Sequence, residues 1–385
     1  MSVTAPHGFR AAGIAAGIKT SAGPDLALVV NDGPSHLAAG VFTRNQVKAA
    51  PVLWSAQVLT SGRLRAVVLN SGGANACTGP GGFQDTHATA ERVAKVLDCG
   101  AIDVAVCSTG LIGERLPLDA VLSGVDTAAG ELASTSEAGL AAATAVLTTD
   151  TVPKQAAVSA AGWTVGGFAK GAGMVAPSLA TMLCVLTTDA VVDESTMDEA
   201  LRSATSTTFE RLDIDGGCST NDTVLLLSSG ASGVTPDAAQ FANAVRQVCY
   251  DLVRGLQADA EGVTKEVAIT VRGAAGEADA LAAARSIARD NLVKAAFFGS
   301  DPNWGRIAAA VGASPATVQP DALDIQLNGV LLCQGGAVAA DRSQADLSGR
   351  MITVEIDLHL GEGEATVFTT DLSHGYVDEN SAYSS

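Results

Sequence analysis

One threonine in this sequence stands where covalent chemistry could begin. Lys170-Gly171-Ala172-Gly173-Met174-Val175-Ala176-Pro177-Ser178-Leu179-Ala180-Thr181-Met182-Leu183-Cys184-Val185-Leu186 is a glycine-loosened turn carrying a lysine, followed by an apolar run that stops at Thr187-Thr188-Asp189. A short apolar run bounded in this way has the pattern of a buried strand, with Thr181 as a hydroxyl at its mouth. A hydroxyl is inert without a base. Scission of the Ala180–Thr181 peptide would supply one, because the freed α-amine of Thr181 lies beside its own hydroxyl. Such an amine has a reference pKa of about 7.7–8.0, so a useful fraction is neutral near pH 7. Periodicity alone reads the same residue as a β-former at a strand edge.

Other segments offer supporting chemistry. The apolar run 102–107 leads into Ser108-Thr109-Gly110, a strand tip with a hydroxyl and an unhindered N–H. Those are the donors an oxyanion hole needs, although the same pattern also makes a plain turn. Thr148-Thr149-Asp150-Thr151, three threonines around an aspartate, has the pattern of a hydrogen-bonded turn. Glu261 stands where a helix meets the next strand, and in isolation it is a solvated carboxylate. The loop Asn70–Gly79 is rich in Gly and Asn but lacks the Gly-Lys-Ser/Thr ending of a nucleotide loop. Asp213, Asp215 and Asp222 miss the calcium-loop spacing, so no metal is expected. Cys218 has no marked partner base and reads as a packing residue. None of His7, His36, His87, His359 and His374 has triad or metal spacing.

The pattern Lys-Gly-x-Gly-Met-x-x-Pro-x-x-Ala-Thr-Met-Leu at 170–183 resembles the self-cleavage motif of the glutamate N-acetyltransferase (ornithine acetyltransferase) family of arginine biosynthesis. The resemblance runs from Gly8 to the last residue. It implies scission after Ala180 into chains 1–180 and 181–385, with Thr181 as nucleophile and Thr109 and Gly110 as the oxyanion pair. It also implies substrate contacts at Thr148, Lys170, Thr181, Glu261, Asn380 and Ser385, the last a position where the family varies between Ser and Thr. The implied reaction moves the acetyl group of N2-acetyl-L-ornithine to L-glutamate by a ping-pong route through acetyl-Thr181. A glutamate carboxylate suits an ornithine side-chain ammonium, and Lys170 suits a substrate carboxylate. No cofactor is required, and some family members also take acetyl-CoA as donor; the sequence offers no criterion on that point. The alternatives are a related N-terminal-threonine aminopeptidase or amidohydrolase, or an uncleaved, non-enzymatic amino-acid-binding relative. The family pairs its cleaved units into an α2β2 heterotetramer.

These residues need a scaffold, and the composition provides for one. The chain has 385 residues, 47% hydrophobic and 17% charged, which argues for a large buried core and against disorder. Its length exceeds a usual single core. Alternating strands and helices suggest a main layered α/β domain over 1–272 and a smaller C-terminal α/β domain over 273–385. The family shows an α/β/β/α (α+β) sandwich of mixed sheets between helical layers, with a tail that returns to the active site. Strand patterns fall at 25–31, 65–70, 102–107, 162–167, 182–186, 224–227 and 267–271, then at 323–327, 330–333, 352–358 and 365–370. Helical patterns fall at 85–97, 118–147, 196–209, 237–257 and 278–296. The net charge of −18 disfavours nucleic acid and anionic membrane as partners. Seven cysteines, odd in number and without a C-x-x-C pair, indicate reduced thiols. With no apolar run of transmembrane length and no signal-like start, a cytoplasmic location is expected.

Overall fold

Strands that are apolar at nearly every position need cover on both faces, and this requirement shapes the larger part of the molecule. The computed structural model describes residues 2–176 and 182–382. Ala180, Thr181 and Ser385 lie outside the described residues. Two compact units are present, one formed by the described residues of 1–210 and 218–256 and the other by those of 211–217 and 257–382.

The first unit runs β1 (Phe9–Ile14), β2 (Leu26–Asn31), β3 (Leu37–Phe42), α1 (Ala50–Val58), β4 (Ala66–Ser71), α2 (Gly79–Leu97), β5 (Val104–Thr109), α3 (Leu118–Glu131) and α4 (Ser136–Ala145). It continues through β6 (Lys154–Ala160), β7 (Trp163–Lys170), β8 (Leu183–Thr188), α5 (Glu194–Thr207), β9 (Thr223–Ser228) and α6 (Ala238–Ala258). One mixed sheet has the order β1-β2-β4-β5, with β4 and β5 parallel. The other has the order β3-β9-β8-β7-β6, with β8 and β9 parallel and the remaining pairs antiparallel. β2, β4, β5, β8 and β9 are buried at every residue.

Alternation along β8 shows the layering. Leu183 and Val185 join the core built on the first sheet and on α2, α3 and α4. Cys184 faces the other way, beside Cys249 of α6, and Phe241 of α6 packs on Trp163 of β7 with ring centroids 5.8 Å apart. Helix, sheet, sheet and helix are therefore stacked in that order, as an α/β/β/α sandwich.

The second unit comprises β10 (Glu266–Ala274), α7 (Glu277–Arg289), α8 (Asn291–Phe298), α9 (Trp304–Gly312), β11 (Asp324–Leu327), β12 (Val330–Gln334), β13 (Ala337–Val338), β14 (Met351–Asp357), β15 (Gly363–Thr370) and α10 (His374–Ala382). Its single mixed sheet has the order β13-β12-β11-β14-β10-β15. Here alternation returns: Ile352, Val354 and Ile356 of β14 are buried while Met351 and Thr353 are exposed. One face packs on α7, α8 and α9 through Ala283, Ile287, Val293 and Ile307.

Two expected helices are each divided in the structure. The run 118–147 breaks at residues 132–135, where Ala133 exchanges backbone hydrogen bonds of 3.1 and 2.9 Å with Ala11 at the sheet edge. Thr135 then caps α4. The run 278–296 breaks at Asp290, whose side chain accepts from Val293 N to start α8. The helix expected from Thr196 starts earlier, because Asp193 is its cap. β1, β3, β6, α1, α9 and α10 carry weaker patterns that the sequence reading did not assign. Among the described residues no helix is long and apolar enough to cross a membrane.

Candidate active site

β5 and β7 end at the same polar cluster. Thr109 closes β5 and Lys170 closes β7, and each is only 1% exposed. The Lys170 ammonium donates to Thr148 Oγ1 at 2.8 Å and to Thr109 Oγ1 at 3.3 Å. An ammonium can only donate, so both hydroxyls accept from it and each keeps its own hydrogen to give elsewhere. Among the described residues neither hydrogen has another acceptor.

Asp150 anchors this arrangement. Its carboxylate lies 3.7 Å from Lys170 Nζ and accepts from Lys154 Nζ at 2.6 Å, from Gly171 N at 2.7 Å and from Thr148 N at 3.2 Å. Burial alone would raise its pKa, but the charges of Lys170 and Lys154 and these hydrogen bonds prevail and hold it down at about 2. A third cation is close: Lys19 donates to Leu147 O at 2.6 Å, and burial, with Lys170 adding, lowers its pKa. The sequence reading did not single out Asp150, Lys154 or Lys19 for this site. The one available signal was Asp150 and Lys154 spaced by four across Pro153.

Gly110 follows Thr109 with φ +124°, and a Cβ there would stand 2.6 Å from Gly73 N. Glycine is therefore required for the strand tip to lie against the Asn70–Gly79 loop. Gly73 N donates to Thr109 O at 3.1 Å, and Asn70 links to Ser108 Oγ at 2.6 Å. Asn221 adds donations to Ala74 O at 2.6 Å and Ser108 O at 2.8 Å. The glycine-rich loop is thus the brace that holds Thr109 and Gly110 in place. In register, Lys170 is opposite Leu183, the second residue after Thr181 in sequence.

Glu261 and Asn380 meet in the second unit. Asn380 Nδ2 donates to Glu261 Oε2 at 2.8 Å and to Tyr376 O at 2.9 Å. The C-terminal segment is helical here instead of frayed, since Ser373 Oγ donates to Gly262 O at 2.5 Å and accepts from Tyr376 N at 3.1 Å. Gly262 has φ +61°, and a Cβ on it would lie 2.0 Å from Tyr376 N. Glu379 joins this group, and burial and then the charge of Glu261 raise its pKa. Asp213, one of the three aspartates considered for metal, pairs instead with Arg289 at 2.7 Å. Among the described residues no group of three or more His, Cys, Asp or Glu could hold a metal ion.

The ArgJ family model matches residues 10–385. The chain belongs to the ArgJ family. The "Arginine biosynthesis bifunctional protein ArgJ" of Mycolicibacterium paratuberculosis is 66% identical over all of this chain and 96% of its own length. The protein of the same name from Streptomyces coelicolor is 60% identical over the full length of both. Among solved structures, an ornithine acetyltransferase complexed with ornithine from Mycobacterium tuberculosis is 67% identical, covering 46% of this chain and 95% of that chain at a TM-score of 0.46. As an ArgJ protein, this chain is an acyltransferase of arginine biosynthesis acting on small molecules.

Proposed function

We propose that the chain cuts itself at Ala180–Thr181 and then transfers the acetyl group of N2-acetyl-L-ornithine to L-glutamate through acetyl-Thr181. The observation that carries this reading is the Lys170 cluster. Its ammonium occupies lone pairs of Thr109 and Thr148, which leaves two hydroxyl hydrogens to donate to a reacting carbonyl and to a bound substrate.

In the maturation step Thr181 Oγ adds to the carbonyl carbon of Ala180. The C–N bond breaks, and the hydroxyl proton ends on the released amine of Thr181. Water then hydrolyses the ester, giving the Ala180 carboxylate and the free hydroxyl. In turnover that amine takes the Thr181 proton as the oxygen attacks the acetyl carbonyl of acetylornithine. Thr109 Oγ and Gly110 N–H stabilise the oxyanion, and the proton passes to the ornithine amine as it leaves. Glutamate then attacks acetyl-Thr181 by the reverse steps. Lys170 and Thr148 serve the substrate carboxylate; Glu261, oriented by Asn380, serves the side-chain ammonium, and Ser385 adds a contact. No cofactor enters these steps, acetyl-CoA being at most a second acetyl donor, and the cleaved chains pair into an α2β2 heterotetramer in the cytoplasm.

Intact mass and a denaturing gel of purified protein test the reading. Two chains, the second beginning at Thr181, are expected, together with acetylglutamate formed from acetylornithine and glutamate. Thr181→Ala is expected to be uncut and inactive. Normal cleavage in that variant, or release of acetate in place of acetylglutamate, would overturn the assignment.

A further inference from the structure

Asp222 is a buried acid that the steps above do not use. It precedes β9 and is wholly shielded from solvent. Its Oδ1 accepts from Met182 N at 3.1 Å, and the backbone repeats the tie, with Thr223 N donating to Met182 O at 3.0 Å. β8 and β9 are parallel, with Leu183 opposite Thr223, so residues 222 and 223 grip the chain at the position directly after Thr181. Asp222 Oδ2 has no hydrogen-bond partner among the described residues. Burial pushes the carboxyl well above the usual carboxylate range, and Cys218 adds to this. The Met182 amide and the Ser219 and Thr43 hydroxyls oppose the shift without reversing it. Burial therefore favours the neutral carboxyl over the carboxylate, and Oδ1 is the oxygen that accepts from Met182 N.

Register between β8 and β9 does not need this side chain, because the parallel ladder already runs from Leu183 to Thr188. An acid buried without a cation is a costly way to fill space. What the carboxyl adds is a hold on one amide, that of Met182. We infer that Asp222 is a positioning residue for cleavage and transfer: through Met182 it fixes the backbone to which Thr181 is bonded, before scission and after it. This rests on the reading of Thr181 given above. Asp222 gains and loses no proton in the cycle; its task is to keep the chain still while the acyl carbon passes from nitrogen to oxygen.

Asp222→Asn and Asp222→Ala test it, with cleavage followed on gels after a pulse of synthesis and folding checked by circular dichroism. Asparagine is neutral and keeps an acceptor for Met182, so its cleavage rate is expected within about 3-fold of the wild type. Alanine leaves the amide unpaired and is expected to slow cleavage at least 10-fold in protein that still folds. A folded alanine variant cut at the wild-type rate would overturn the inference, and so would a folded asparagine variant that stays uncut. If the alanine variant does not fold, the asparagine variant decides alone: an unchanged pH profile of turnover supports a neutral positioning group, and loss of one limb overturns it. A wild-type chain that never cleaves would instead sink the underlying reading of Thr181.

Discussion

Lys170 and Lys154 lie at strand ends within a sandwich, Asp150 lies in the segment before β6, and all three are shut off from water, with side chains 0–3% exposed. Glu261 and Asn380 meet instead between a turn and the nine-residue α10, which has no buried residue. The first group is fixed by buried charges that satisfy one another, so any single removal disturbs every partner. The second is a carboxylate steered by one amide, with a second acid, Glu379, raising the local negative charge. Interior charge networks orient atoms, whereas Glu261, itself largely buried, is held by a neutral amide and is open to pairing with a cation. The first group should therefore control rate and the second affinity.

Lys170→Met is the strongest way to break that contrast. It strips the donor from Thr109 and Thr148 together, and those hydroxyls then lose the orientation that presents their hydrogens. Losing one oxyanion donor costs on the order of 10²–10³ in kcat, and the fall here should be at the upper end of that range. Asp150 keeps Lys154 and two amides, so the variant should still fold. Stopped assays at saturating acetylornithine, alongside circular dichroism, provide the check; a folded variant with near-normal kcat would remove Lys170 from the chemistry.

Acid titration probes the same network through Asp150. Its folded pKa lies below the reference value of 3.8, at about 2, so its stabilisation is fully present above about pH 4 and is lost as pH falls through about 2. A displacement of that size corresponds to about 2 kcal/mol. Calorimetry of the wild type and of Asp150→Asn from pH 5 to pH 2 should show the stability gap between them narrowing by about that amount. A gap that is constant across the range would mean that folding does not shift the Asp150 pKa.

Glu261→Gln addresses the second group. Glutamine can still accept from Asn380 but carries no charge for an ammonium. A hydrogen bond to a charged group is worth about 1.5–3 kcal/mol, so the KM for acetylornithine should rise about 10-fold or more. The kcat should stay within about 2-fold. A fall in kcat with unchanged KM would reverse the division between rate and affinity.

How far these clusters could be read from sequence follows from how local their signals are. Strands such as β2, β4, β8 and β9 are buried on both faces, and their unbroken apolar runs announce them. β1 and β3 are partly covered and contain Gly13 and Gly40, which weakened the pattern. The break between α3 and α4 depends on Ala133 pairing with Ala11, a contact 122 residues away in sequence that no local window contains. The same holds for function. Thr109, Gly110 and Lys170 came from motifs and meet at the strand ends. Asp150 was visible only as one residue in a threonine-rich turn, because its role depends on a lysine 20 positions later. Asp222 read as part of a failed metal loop, since burial, not spacing, decides what its carboxyl does.

Glu379→Gln is the finest test and carries the smallest expected effect. Glu379 sits near Glu261, and burial first and then the Glu261 charge raise its pKa, so a second negative charge there carries a cost. If the group exists to draw in an ammonium, that cost is relieved when the cation arrives, and removing Glu379 should weaken acetylornithine binding slightly. Because the side chain is largely exposed, solvent screens it, and an effect of about 2-fold on KM is expected, fading in high salt. Should the KM fall instead, Glu379 would be competing with Glu261 for Asn380 and not assisting it. Measuring KM at low and high salt for this variant and for Glu261→Gln separates the two cases, since a directly bonded carboxylate resists screening and a neighbouring one does not.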